Sequence, residues 1–193
     1  ILEGAFSDSQ ITSIGFASDS KIQKICKYAL PEYIRSLIIP SHVKELEEGW
    51  CTCTQYLNKI YVSPSNRYFK SYENNMIIGK SKPEQTNFDT LVFCPRDIEF
   101  VVIPNFIKKI CKCAFSYSKQ IKQLKFEKDS KLQLIDEEAF FASSIEKKIR
   151  IPSQVTKIEY NSFAYAFFSW IEFPNDSKLQ IIGKYAFSGS DIE

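Results

Sequence analysis

An apolar pattern, φxxφxφ, returns along this chain at a nearly constant stride, and that stride leaves few folds open. Its first position falls at Ile11, Ile34, Leu57, Ile98, Ile121, Ile145 and Phe168, with Ile192 opening an eighth copy; the steps are 23, 23, 41, 23, 24, 23 and 24 residues. The closing pairs are Ile14/Phe16, Leu37/Ile39, Ile60/Val62, Val101/Ile103, Leu124/Phe126, Ile149/Ile151 and Ile171/Phe173. A second signature follows in each copy: Ala5-Phe6, Ala29-Leu30, Trp50-Cys51, Ala114-Phe115, Ala139-Phe140, Ser162-Phe163 and Ala186-Phe187. Self-similarity at one short period marks a stacked-coil architecture, in which no copy can bury its own apolar face and each neighbour supplies the cover.

Within one copy, the alternation φxφ predicts a short strand with both φ side chains inward and the middle residue outward. Pro40, Pro104, Pro152 and Pro174 follow such strands directly. A proline cannot donate to a continuing ladder, so the strand ends there and the chain turns. Segments such as Val155-Thr156-Lys157-Ile158 then send two more apolar residues inward, and the small Ala of Ala-Phe lets backbones approach beside the ring. Copies alternate between two types. One carries Asp-Ser-Lys-φ-Gln-x-Ile (Asp19 to Ile25, Asp129 to Ile135, Asp176 to Ile182), and the other Pro-x-x-φ-x-x-φ (Pro40 to Leu46, Pro104 to Ile110, Pro152 to Ile158).

The single long step is one period plus 18 residues and spans about 64–97. It holds Asn74-Asn75-Met76-Ile77-Ile78-Gly79 and Thr90-Leu91-Val92-Phe93-Cys94-Pro95 around a polar loop, which predicts a hairpin-like excursion from the coil. The chain opens on Ile1-Leu2-Glu3-Gly4-Ala5-Phe6, already the second half of a copy, and stops as another begins. It therefore reads as an excised piece or a very short member of its kind.

The motif φxxφxφP-x-x-φ-x-x-φ-x-x-x-Ala-Phe, best written in Val101 to Phe115 and Ile149 to Phe163, resembles the BspA-like leucine-rich repeat family, as does the insert. The expected fold is a single β-rich solenoid over 1–193, a right-handed leucine-rich-repeat coil of short parallel strands with few helices. The resemblance implies a surface or secreted protein, as in anaerobic bacteria and trichomonad-like mucosal parasites. It also implies adhesion to host cells and matrix proteins and brings no catalytic residues with it. Trp50-Cys51 departs from the Ala-Phe pattern, so the core must repack there.

Other chemistries find little support. Six glycines in 193 residues argue against a Gly-rich phosphate cradle, and a net charge of +2 gives no case for nucleic acid or an anionic membrane. No apolar run approaches the roughly 20 residues of a membrane span. No cofactor is expected. With one histidine, His42, only one Cys/His pairing is available, and nothing places it beside a thiol. Asp136-Glu137-Glu138 and Glu45, Glu47 and Glu48 read as solvated loop charges. Lys21, Lys24, Lys108, Lys109 and Lys157 read as a solvated face, with a glycan- or acidic-matrix-binding stripe as the alternative.

The six cysteines are Cys26, Cys51, Cys53, Cys94, Cys111 and Cys113. Their spacing matches no zinc pattern. Small buried thiols are the expectation, with a disulfide or a metal as alternatives. The two Cys-x-Cys pairs flank the insert, so at about 4.8 Å per coil they should lie more than one coil apart, beyond disulfide reach.

The outward column is the candidate binding surface. The middle residues of φxφ are Gly15, Ile38, Tyr61, Val102, Lys125, Arg150 and Glu172, and Phe100 and Trp170 stand nearby. Ile38, Tyr61, Phe100 and Val102 should form an exposed apolar ladder rimmed by Lys125, Arg150 and Glu172, as protein-contact surfaces are. The competing expectation is that the insert folds over these residues and makes them core. The reading is a non-enzymatic module at the cell surface that binds host or matrix proteins, with glycans as a further partner class. Its rivals are an intracellular scaffold using the same face and self-association through apolar coil ends at Ile1-Leu2 and Phe187-Ile192.

Overall fold

A computed structural model describes residues 1–17, 19–145 and 148–190. It is a β-solenoid of about seven coils, numbered here by their leading φ residue from Ile11 (coil 1) to Phe168 (coil 7). Among the described residues the only helical segment is a 3₁₀ turn, Glu73–Asn75. Ile192, expected to open an eighth coil, lies outside the described residues.

Outside the insert the strands pair in parallel from coil to coil. Ile121 bridges Ile145 and Ile145 pairs with Phe168, so the leading φ residues of coils 5 to 7 stand in one column. The φxφ strands form three separate parallel sheets. Ser13–Ile14, Ser36–Ile39 and Lys59–Val62 make the first, Phe100–Ile103 and Gln123–Phe126 the second, and Ile149–Arg150 and Ile171–Glu172 the third. The breaks fall at the insert and where coil 6 has three residues, rather than two, between Ile145 and Ile149. A second column runs Thr90–Phe93, Lys109–Ile110, Leu134–Ile135, Lys157–Ile158 and Ile181–Ile182, all parallel.

The insert holds the expected hairpin, Met76–Gly79 antiparallel to Thr90–Phe93, but inside the coil and not as an excursion from it. A third strand, Phe69–Tyr72, is antiparallel to Met76–Gly79, and Thr90–Phe93 continues the second column of the coil. All four residues of both Met76–Gly79 and Thr90–Phe93 are buried. Ile77, Val92 and Phe93 pack with the core of coils 1 to 3, whereas Met76, Ile78 and Leu91 pack with the core of coils 4 to 7. The insert is thus an internal wall between two cores. Burial on both faces is why its strands read as unbroken apolar runs instead of alternating ones. Buried Asn66 pins its entry: its amide donates to the carbonyls of Pro40 (2.8 Å) and Val43 (2.9 Å), and its carbonyl accepts from the Tyr68 and Phe69 amides.

Ala-Phe carries the second half of each coil. Phe115, Phe140, Phe163 and Phe187 stack face to face with centroids 4.7, 4.8 and 5.3 Å apart, the spacing of hydrogen-bonded strands. The residue before each Ala-Phe position has positive φ: Gly4, Tyr28, Gly49, Cys113, Glu138, Asn161 and Tyr185. So does the residue two after Phe at Asp8, Tyr117, Ala142, Tyr165 and Gly189. L-residues other than glycine and asparagine avoid this region. Here inter-coil hydrogen bonds hold them in it, among them Tyr117 N–H to Phe141 O (2.9 Å), Ala142 N–H to Ala164 O (2.9 Å) and Glu138 N–H to Tyr160 O (3.1 Å).

Candidate binding surface and the coil 2–coil 4 junction

The strand pleat sends the predicted column outward. Ile38, Tyr61, Phe100 and Val102 are 38, 55, 58 and 43% exposed, so the insert does not cover them. Ile38 and Tyr61 are direct cross-strand partners, as are Val102 and Lys125, and Arg150 and Glu172. Phe100 stands on the same strand as Val102, two residues before it, with the Lys122 ammonium 6.0 Å from its ring centre. Arg150 Nη1 lies 2.8 Å from Glu172 Oε1, and Lys148 Nζ is 3.8 Å from the same carboxylate.

The ladder is not continuous. The Glu73–Asn75 turn of the insert stands between the strands of coils 3 and 4. Asn74 Nδ2 donates to Phe100 O at 3.3 Å, and Asn75 lines a small cavity with Ile38 and Tyr61. The column therefore divides into an apolar pair (Ile38, Tyr61), a mixed patch (Phe100, Val102, Lys125) and an ion-paired patch (Arg150, Glu172). A feature missed by sequence reasoning adjoins the first. Tyr33 and Tyr56 stack with centroids 6.0 Å apart, and the Arg35 guanidinium sits 5.6 Å from the Tyr56 ring. One tyrosine repeated at a separation of one period, directly before the leading φ, was the available signal.

A groove of about 990 Å³ opens across coils 4 to 7. Lys108, Lys125, Lys128, Lys131, Lys148 and Arg150 line it, against the carboxylates of Glu127, Asp129 and Asp176. Most of the lysines read as a solvated face, with a binding stripe as the alternative, are tied to carboxylates: Lys24 to Glu45 (2.9 Å), Lys108 to Asp89 (3.4 Å) and Lys157 to Glu159. Partial burial works against the Lys109 ammonium. Hydrogen bonds to Asp136 (2.7 Å) and Glu48 (3.1 Å) outweigh it and hold the pKa above the usual lysine range. Asp136 is buried in this pair, which corrects its reading as a solvated charge.

The expected distance between the Cys-x-Cys pairs is also corrected. Cys51 Sγ is 3.9 Å from Cys113 O, and Thr52 Oγ1 is 3.4 Å from Cys113 Sγ. Coil 3 takes a short cut: Leu91 pairs with Ile110, yet Cys94 N–H already bonds to Ala114 O, so Lys112 and Cys113 have no counterpart in it. Through the gap, coil 4 touches coil 2. Arg96 fills the remaining space, 4% exposed, donating from Nε to Thr54 O (3.1 Å), Nη1 to Ala114 O (3.0 Å) and Nη2 to Cys113 O (3.1 Å), with its guanidinium 4.4 Å from the Phe93 ring centre. Burial lowers the pKa of Arg96 and pushes the Cys51 thiol up to about 12 and Cys113 to about 11. All six cysteines are free thiols, and Cys53 is exposed. Among the described residues no three His, Cys, Asp or Glu side chains are grouped to hold a metal, and no helix is long and apolar enough to cross a membrane. His42 is exposed, its Nδ1 3.1 Å from Ser41 Oγ.

No curated protein matches the chain in sequence. Among solved structures it is similar to a leucine-rich repeat protein from Eubacterium ventriosum, at 17% identity and a TM-score of 0.59, covering 97% of this chain and 73% of that one. It is also similar to a leucine rich cell surface protein from Faecalibacterium prausnitzii, at 16% identity and a TM-score of 0.47, covering 88% of this chain and 62% of that one. Residues 1–76 and 86–193 match six copies of the BspA type leucine rich repeat region. With nearly every coil accounted for in that match, the chain belongs to the BspA-type leucine-rich repeat family.

Proposed function

We propose that this chain is a non-enzymatic recognition module of the cell surface, binding host-cell or extracellular-matrix proteins through the outward face of its φxφ strands. One observation carries the reading. Ile38, Tyr61, Phe100 and Val102 are held exposed on rigid, in-register strands, with Lys125, Arg150 and Glu172 along the same face. Large apolar side chains fixed in place lose little entropy on contact, and a charged rim selects the partner. The surface location and the host-directed partner rest on the family. The deciding experiment is binding of the parent and of Tyr61→Ala, Phe100→Ala and Arg150→Glu variants to a panel of host cells and matrix proteins. Variants that keep their melting temperature should lose binding; unchanged binding in all three removes the face from consideration.

An intracellular scaffold using the same face is the second reading, favoured by six thiols without a disulfide. A secretory signal or surface anchor in the full-length gene would decide against it. Self-association is a third, since Leu2, Ile181 and Ile182 are exposed at the two ends. Light scattering that does not change with concentration would dismiss it.

A further inference from the structure

The alternation of coil types gives the surface a relief. From the closing φ of the strand to the next inward residue, the Asp-Ser-Lys coils take six residues (Phe126 to Leu132, Phe173 to Leu179), whereas the proline coils take four (Ile103 to Ile107, Ile151 to Val155). The longer loops stand out as ridges, and the Ile151–Gln154 segment of coil 6 lies in the valley between those of coils 5 and 7. The groove is this valley, walled by Glu127 to Lys131 on one side and by Pro174 and Asp176 on the other.

Six cations line it against three carboxylates; Lys108 is paired with Asp89, and Lys148 and Arg150 with Glu172, carboxylates just outside the lining. Lys125, Lys128 and Lys131 are exposed and form no ion pair among the described residues. The carboxylate of Glu127 is engaged by the Asn105 amide at 2.8 Å. Between the cations, Gln123, Gln133, Gln154, Ser130 and Ser153 offer neutral amides and hydroxyls. The one aromatic ring in the lining, Phe126, is half-buried, so no platform exists on which bases could stack.

We propose that this groove binds an acidic glycan, a sulfated polysaccharide whose anionic groups meet Lys125, Lys128, Lys131 and Arg150 while its hydroxyls meet the amides. Fixed cations in a groove with low-dielectric walls concentrate a polyanion, and the neutral donors supply what a sugar needs beyond charge. The site goes beyond the protein-contact face and shares only Lys125 and Arg150 with it.

The test is fluorescence anisotropy with a labelled heparin-derived octasaccharide, its fully desulfated counterpart, and an RNA and a polyglutamate of equal charge as competitors. Saturable binding that weakens with salt is expected. It should fall at least tenfold for the desulfated probe and for Lys128→Ser/Lys131→Ser with its melting temperature kept, with both competitors at least tenfold weaker. Tyr61→Ala and Phe100→Ala should bind the octasaccharide as the parent does, which separates this site from the protein-contact face. No saturable binding, equal affinity for the desulfated probe, equal competition by RNA or polyglutamate, or full binding by the double variant would each overturn the assignment.

Discussion

Cys51 Sγ rests 3.9 Å from the carbonyl oxygen of Cys113, 62 positions along the chain, although a whole coil separates the two in sequence. The contact exists because coil 3 omits the turn that Lys112 and Cys113 make in coil 4. The buried guanidinium of Arg96 then donates to three carbonyls around this gap.

Replacing Arg96 tests that junction. Arg96→Met keeps much of the apolar stem but removes the donor to the Thr54 carbonyl and the charged donors to the Cys113 and Ala114 carbonyls, which keep only the Cys51 thiol and the Cys94 amide. Each buried unsatisfied group costs about 1–3 kcal/mol, offset in part because no charge need then be desolvated. A net loss of about 3 kcal/mol is expected in denaturant unfolding; a loss under about 1 kcal/mol would mean that water or neighbouring donors take over.

Thiol chemistry should follow burial. Desolvation lifts Cys51 to about 12 and Cys113 to about 11, and both side chains are closed to solvent. At pH 8 Cys53, the exposed thiol, should alkylate first, and Cys51 and Cys113 only as fast as the protein unfolds. Peptide mass mapping of a timed iodoacetamide reaction reads this directly. Early labelling of Cys113 would show the junction to be open.

The insert loop should loosen in acid. Burial alone would raise the pKa of Asp89. The Ser81 amide (2.9 Å), Gln85 Nε2 (2.6 Å) and Ser81 Oγ (3.0 Å), with Lys108 at 3.4 Å, outweigh it and leave the carboxyl below the usual range. A depressed folded pKa contributes stability that is fully present above about pH 4 and is lost as pH falls through the folded value. The protection factor of the Ser81 amide, its exchange divided into the intrinsic rate at each pH, should fall there, and Asp89→Asn should show the low protection already at neutral pH. A protection factor that does not change with pH in the parent would refute this.

Ala142 sits at φ 50°. Glycine relieves a left-handed strain of about 1–2 kcal/mol but adds about 0.4–1 kcal/mol of unfolded-chain entropy. Ala142→Gly should therefore be neutral or stabilising by up to about 1 kcal/mol, against a clear loss for Ala139→Gly, three residues earlier and fully buried. Thermal melts of the two variants compare them. Equal destabilisation would deny that the backbone is strained at Ala142.

Phe140 lies between Phe115 and Phe163 with ring planes within 4° of both. Phe140→Ala opens a cavity that the flanking rings cannot collapse into without breaking coil spacing, so about 3–5 kcal/mol should be lost. Calorimetry of the variant checks it, and a loss near 1 kcal/mol would show the stack to be compliant.

The stride, the inward columns, the outward faces of Ile38, Tyr61, Phe100 and Val102 and the alternation of two coil types were all legible in the chain itself. Each is a local pattern repeated, and repetition turns a weak local preference into a register. Tertiary structure alone decided the rest. The unbroken apolar runs Met76-Ile77-Ile78 and Leu91-Val92-Phe93 suit a strand buried on both faces or a hairpin outside the coil, and only the presence of a core on each side makes them a wall. The meeting of Cys51 and Cys113, and the turn of Asn74 and Asn75 that divides the ladder, depend on how many residues coil 3 skips while closing on its neighbours. The left-handed backbone at Tyr117, Glu138 and Ala142 runs against residue preference, because hydrogen bonds from adjacent coils outweigh it. Those bonds exist only once the coils are stacked.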